Sequence, residues 1–161
     1  MFKVYLLIGG NLGNREENLK TAVNLLQIEG GKVTGSSAIF ETAAWGLTDQ
    51  APFLNQALLL ETVHQPARLL EIILEVELRM GRVRGEKNGP RIIDIDILFF
   101  DDLIISEPHL TIPHPLIQNR RFALAPMKDL EPHLKHPVLM KTISELFDEC
   151  PDKLEVHIYK S

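Results

Sequence analysis

A chain of 161 residues with 45% hydrophobic and 24% charged positions has the size and makeup of one domain over residues 1–161, large enough to build a core without disulfides or a structural metal. Its 17 Lys and Arg against 22 Asp and Glu give a net charge of -5, which excludes the broad basic footprint of a nonspecific nucleic-acid binder. No apolar run approaches the roughly 18 residues that span a bilayer, and a single cysteine, Cys150, with no secretory leader points to a cytoplasmic protein without membrane attachment or an obligate protein partner.

The opening Lys3 to Ile8 is rich in β-formers and reads as a first strand that stops in a turn at Gly9-Gly10. Asn14 can cap the segment that follows, Glu16 and Glu17 favour its first turn, and Leu19, Ala22, Val23 and Leu26 recur at helical spacing until Gly30-Gly31. Val33 to Thr42 and Phe53 to Val63 read as two half-buried strands, pairing antiparallel across a loop with Gly46 and Pro52. Pro66 suits the first turn of a second helix with the stripe Leu69, Ile73, Val76 and Met80, ended by Gly81, with Glu75 and Arg79 spaced to pair outside. Ile92 to Phe100 is a further strand. The order βαββαβ predicts an α+β, ferredoxin-like core with a mostly antiparallel sheet. Prolines then break the tail into short elements, among them a capping box at Thr142 and Glu145 and a short, possible edge strand over Glu155 to Tyr159.

The chemistry concentrates in Gly89 to Phe100. Alternation in a strand puts Ile93, Ile95 and Ile97 on one face and Asp94 and Asp96 on the other, about 7 Å apart along the chain. Two carboxylates so placed repel unless water or a cation compensates, and Mg²⁺ takes such oxygen ligands; the same pattern also fits a solvated edge strand whose charges oppose aggregation. Arg82, Arg84, Lys87 and Arg91 crowd just upstream, and a polyphosphate would account for both clusters. Arg79 is accounted for by Glu75. Leu110 to Phe122 adds Thr111, His114, Arg120 and Arg121, groups that could hold a nucleotide, whereas the histidine pairs lack the further ligands of a zinc site. Phe53 and Asn55 share a strand face, a ring and an amide suited to a flat polar heterocycle. The Gly9 to Asn14 stretch has neither the spacing of a dinucleotide fingerprint nor the Gly-Lys-Ser/Thr ending of a P-loop.

These residues resemble a known family. Ile8-Gly9-Gly10-Asn11-Leu12-Gly13, Phe40-Glu41-Thr42 with Phe53-Leu54-Asn55, Glu77 with Gly81-Arg82-Val83-Arg84, Gly89-Pro90-Arg91 through Asp94-Ile95-Asp96, Pro113-His114, and Asn119-Arg120 with Phe122 together are similar to 6-hydroxymethyl-7,8-dihydropterin pyrophosphokinase of folate biosynthesis, from the first strand to about Phe147. The resemblance implies transfer of the β,γ-diphosphate of ATP to the pterin hydroxymethyl group, with release of AMP. It implies that Asp94 and Asp96 bind two Mg²⁺ ions and that Arg82 and Arg84 act on the phosphates. Arg91, Thr111, His114 and Arg120 would contact ATP, with Glu77 near the nucleotide. The pterin would stack between Phe53 and Phe122, its edge read by Asn55, the Thr42-Ala43 region and the loop at Trp45. Where members carry an Arg-Trp pair, this chain has Lys87-Asn88. The rival class is a non-catalytic ferredoxin-like module for metabolite binding or regulation, which would leave the aspartate pair and the arginines without a purpose.

Overall fold

The computed structural model describes residues 1–43, 50–82 and 89–161. Strand β1 (Phe2–Gly10) is buried from Val4 onward because it has strands on both edges and core on both faces. Helix α1 (Arg15–Glu29) starts where Asn14 Oδ1 accepts the Glu17 N–H at 3.1 Å, with Glu16 and Glu17 at its positive end. Strands β2 (Lys32–Ser36), β3 (Phe40–Thr42) and β4 (Phe53–Thr62) follow, and helix α2 (Pro66–Arg79) opens on Pro66. Strand β5 (Asp94–Phe100), the hairpin β6 (Ile105–Glu107) and β7 (Leu110–Ile112), helices α3 (Arg121–Leu130) and α4 (Ile143–Glu149), and strand β8 (Val156–Ile158) complete the order. The capping box at Thr142 and Glu145 forms.

Among the described residues the main sheet runs β5-β1-β4-β3-β8, with β2 also on β4, and every pairing is antiparallel. This is the expected α+β, ferredoxin-like arrangement. The strand read over 33–42 is two strands. Ser37 breaks it: its Oγ accepts the Ala57 N–H at 2.9 Å, and the next amide, of Ala38, donates to Asp129 at 2.8 Å instead of to a strand. Gly9 and Gly10 belong to β1 and form no turn. Arg79 does not pair with Glu75; it bonds Glu29, at the end of α1, because the two helices pack side by side. No helix among the described residues is long and apolar enough to cross a membrane.

The two faces of the sheet differ. On the first, Val4, Leu6 and Ile8 of β1 with Leu58, Leu60, Ile95 and Ile97 are sealed by α1 and α2. On the second, Tyr5, Leu7, Ala57, Leu98 and Phe99 pack on α3 and α4, and the end of the face at Gly9, Asn55 and Asp94 lies beyond those two helices. A bulge between β1 and β5 sets the parity, for Tyr5 lies opposite Phe99 and Leu6 opposite Ile97. Leu98 is the extra residue, so Leu98 and Phe99 both enter the second core while Asp94 and Asp96 stay on that face.

A Cβ at Gly10 would lie 2.4 Å from the Ile92 carbonyl oxygen, a backbone atom that cannot rotate away. Gly10→Ala is therefore expected to lower stability by about 1–3 kcal/mol, read as a lower midpoint in urea unfolding.

Candidate active site

That end of the second face is a cleft enclosing about 610 Å³ of space, open solvent included. Strand register builds its floor. Gly9 stands opposite Asn55 on one side and Asp94 on the other, Leu7 opposite Ala57 and Asp96, and Thr42 opposite Phe53. Directly opposed residues in antiparallel strands point the same way. A Cβ on Gly9 would fall 2.1 Å from Asn55 Oδ1, so the missing side chain is what lets the Asn55 amide lie across the centre of the floor. Phe122, from the first turn of α3, and Arg120, just before it, form one wall, and Arg91 forms another.

One cleft thus gathers Thr42, Ala43, Phe53, Asn55, Arg91, Asp94, Asp96, Arg120 and Phe122. Arg82 reaches it through Asp94, with Nη2 3.3 Å from Oδ1, and Arg91 Nη1 lies 3.0 Å from Oδ2. Asp94 therefore lies between two guanidiniums. Asp96 behaves differently: burial, and then the neighbouring Asp94 charge, push its pKa up to about 7, with Arg120 opposing. β5 is indeed the outer strand of its sheet, but charges that only block aggregation point into water, whereas Asp94 pairs with two arginines and Asp96 is desolvated. The arginines also serve the rings, since the Arg91 guanidinium carbon is 5.4 Å from the Phe53 centroid and that of Arg120 is 5.6 Å from the Phe122 centroid.

Other expected residues lie outside the cleft lining. Glu77, on the far side in α2, is buried and its Oε2 accepts the Ile95 N–H at 2.8 Å, which fastens the outer edge of β5 between the two aspartates. Thr111 is exposed on β7. His114 accepts the Leu116 N–H on Nδ1 at 3.1 Å, so its neutral ring carries the proton on Nε2. Burial and then Arg120 lower its pKa to about 4, which keeps it neutral beside the cleft. Trp45 and Arg84 lie outside the described residues.

Asn11 has a part that its motif did not reveal. It is buried; its Oδ1 accepts the Arg91 N–H at 2.9 Å, its own N–H donates to the Arg91 carbonyl at 2.9 Å, and its Nδ2 donates to Gln50 Oε1 and the Ala51 carbonyl at 2.8 and 2.9 Å. One amide fixes both Arg91 and the approach to β4. The available signal was an asparagine directly after two strand glycines.

Residues 5–132 match the family described as 7,8-dihydro-6-hydroxymethylpterin-pyrophosphokinase. The chain belongs to that family. It is 38% identical over 149 residues to the 2-amino-4-hydroxy-6-hydroxymethyldihydropteridine pyrophosphokinase of Aquifex aeolicus, covering 92% of this chain and 92% of that protein. The pyrophosphokinase of Methylorubrum extorquens is 39% identical over 135 residues, 83% of this chain and 85% of that protein. The chain also aligns over 158 residues at 37% identity with the folic acid synthesis protein fol1 of Schizosaccharomyces pombe, but spans only 21% of its length. A crystal structure of Plasmodium falciparum HPPK-DHPS with pteroate superposes with a TM-score of 0.76 at 20% identity, over 92% of this chain and 44% of that one, which establishes the pyrophosphokinase fold. The family is one of ATP-using pyrophosphokinases in folate synthesis.

The two shifted groups have opposite linkage. Between pH 3.8 and about 7 folded Asp96 holds a proton that the unfolded chain has lost, so its contribution to stability grows as pH falls through that window. Between pH 6.5 and about 4 folded His114 refuses a proton that the unfolded chain takes, so its contribution shrinks as pH falls. A melting curve mixes the two; carboxyl-carbon NMR separates them. Asp94→Asn removes the like charge and frees two guanidiniums, and is expected to move the Asp96 titration in the metal-free protein to lower pH. An unmoved titration would contradict the coupling.

Proposed function

We propose that this chain transfers the β,γ-diphosphate of ATP to the hydroxymethyl group of 6-hydroxymethyl-7,8-dihydropterin, giving the pterin diphosphate and AMP in folate biosynthesis, as 2-amino-4-hydroxy-6-hydroxymethyldihydropteridine diphosphokinase. The observation that carries this reading is one cleft in which a ring-and-amide half, Phe53, Asn55 and Phe122, adjoins a charged half, Asp94, Asp96, Arg91 and Arg120. Its relatives bear the name of that reaction.

The pterin ring would stack between Phe53 and Phe122, with Asn55 donating and accepting along its edge and Thr42 and Ala43 closing the rim. A buried polar edge of this kind selects strongly, because a ligand without the matching groups leaves donors and acceptors unpaired. The ring's hydroxymethyl arm would then point along the floor toward Asp94 and Asp96. Its oxygen attacks the β-phosphorus, the bond from that phosphorus to the oxygen bridging to the α-phosphate breaks, AMP departs with that oxygen, and the hydroxyl proton is released. Arg91, Arg120 and Arg82 neutralise charge on the transferred and leaving groups, joined by Arg84, while His114 offers Nε2–H to a phosphate oxygen, Thr111 takes the nucleotide side and Glu77 holds β5 from behind.

Mg²⁺ fits this site as a guest of the aspartates. No three acidic, His or Cys side chains among the described residues are placed to hold a metal ion together, so phosphate oxygens and water would complete the shell, the usual manner of Mg²⁺ in phosphoryl transfer. Asp94 and Asp96 would hold two ions, whose charge would offset that of the phosphates.

Incubation with ATP, Mg²⁺ and the pterin alcohol is expected to yield AMP and a pterin diphosphate ester by ³¹P NMR; formation of ADP alone, or no turnover, would overturn the assignment. Asp94→Ala and Asp96→Asn should each lower kcat by about 10²-fold or more. In the metal-free protein at pH 8, Asp96→Asn should also raise Tm, since it removes a charge that burial disfavours. Arg82→Ala should lower kcat more than it weakens pterin binding, because its charge is most useful as charge develops; equal losses would indicate a purely structural arginine.

A further inference from the structure

The pterin side of the cleft depends on a short piece of sheet, and the C-terminal segment is built onto it. Strand β3 has three residues and pairs with β4 on one edge and β8 on the other, Glu41 opposite His157 and Thr42 opposite Val156. Thr42, which lines the cleft, is buried, and its Oγ1 donates to the Glu155 carbonyl at 2.9 Å. Arg15, the first residue of α1, donates from Nη1 to Glu41 Oε2 at 2.7 Å and to the Pro52 carbonyl at 2.9 Å. That guanidinium joins the middle of β3 to the residue just before Phe53. Both members of the ion pair are about one-fifth exposed, so solvent screens them less than a surface pair. The Arg15 guanidinium carbon lies 5.5 Å from the Tyr159 ring centroid, and the Tyr159 N–H donates to the Ile39 carbonyl at 2.8 Å. Tyr159 is thereby tied down by backbone and ring at once.

Accordingly, we propose that Arg15, Glu41 and Tyr159 form a strap through which the C-terminal strand positions Thr42 and Phe53, making β8 a determinant of affinity for the flat heterocyclic substrate. The proposal rests on the assignment of the Phe53 side of the cleft to the pterin. None of the three touches the cleft, so they are positioning residues. The segment lies beyond the stretch that matches the family, which ends at residue 132, although the 158-residue alignment with the Schizosaccharomyces pombe protein runs into it. The physical reason is that a three-residue strand left at a sheet edge has few bonds to resist fraying. With β8 and the strap in place β3 is interior, and the opposed pair Thr42 and Phe53 is held before the ligand arrives, which lowers the ordering cost of binding.

Three full-length variants test this: Arg15→Gln, Tyr159→Ala and Tyr159→Phe. Arg15→Gln and Tyr159→Ala are expected to speed amide hydrogen exchange in β3 and to raise KM for the pterin roughly fivefold, the scale of one lost net hydrogen bond, with KM for ATP and kcat within about twofold of the parent. Tyr159→Phe keeps the ring over the guanidinium and should match the parent in all of these. Unchanged exchange in both disruptive variants would overturn the strap. Faster exchange with an unmoved pterin KM, or equal rises in both KM values, would overturn its role in affinity. A parent chain that forms no AMP refutes the assigned reaction instead, and with it the substrate named for the strap.

Discussion

Two acids held side by side at the open end of a sheet face are the constraint around which this molecule is arranged. Asp94 and Asp96 share a face because β5 is extended, and they keep that face because the bulge at Leu98 changes the parity only after them. Their repulsion is not relieved by distance. Instead Arg82 and Arg91 bracket Asp94, Arg120 opposes the rise in the Asp96 pKa, and Glu77 fastens the backbone between them from the opposite side of the sheet. Arg91 is a sequence neighbour of Asp94, but Arg120 comes from far along the chain, so the full charge balance exists only once the chain is folded.

The charged half and the ring half of the cleft are not independent. Arg91 pairs with Asp94 and also sits against Phe53, and Arg120 influences Asp96 while sitting against Phe122. A guanidinium drawn toward a phosphate would therefore leave or tilt against a ring, which couples occupancy of the two halves through side chains that touch both. Asn11 adds a backbone link of the same kind, since one buried amide holds both Arg91 and Gln50-Ala51.

What could be read from the residue order was what local periodicity and capping control. Helix α1 follows from Asn14 and the acidic first turn, α2 from Pro66 and its apolar stripe, and the shared face of Asp94 and Asp96 from alternation alone. Local rules failed where a distant partner intervened. Asp129 draws the Ala38 amide out of the ladder from 91 residues away, and so splits a strand that looks continuous. Glu29 takes Arg79 from its helical neighbour because α1 and α2 pack together, which no spacing rule within one helix can show. Asn11 was hidden for a related reason: both loops that it joins are far off in sequence. The placement of Thr42, Phe53, Asn55, Phe122 and the arginines around one cleft followed from family resemblance more than from periodicity, since each alone has the pattern of a core or surface residue.

The position of the cleft follows from the same energetics. A desolvated carboxylate beside another is unfavourable to the folded state, and it persists only where the surrounding backbone cannot relax to release it. The end of β1 meets that condition, with β4 and β5 paired on either edge, α1 and α2 sealing the face beneath, and α3 and α4 packed farther along the face that bears the acids. A loop would let the acids part. Two glycines at the tip of β1 complete the arrangement by admitting atoms that any side chain would displace: the Asn55 amide at Gly9 and the Ile92 carbonyl at Gly10. The core of the fold thus opposes the strain of its own site, which the proposed cation and phosphate chain would relieve.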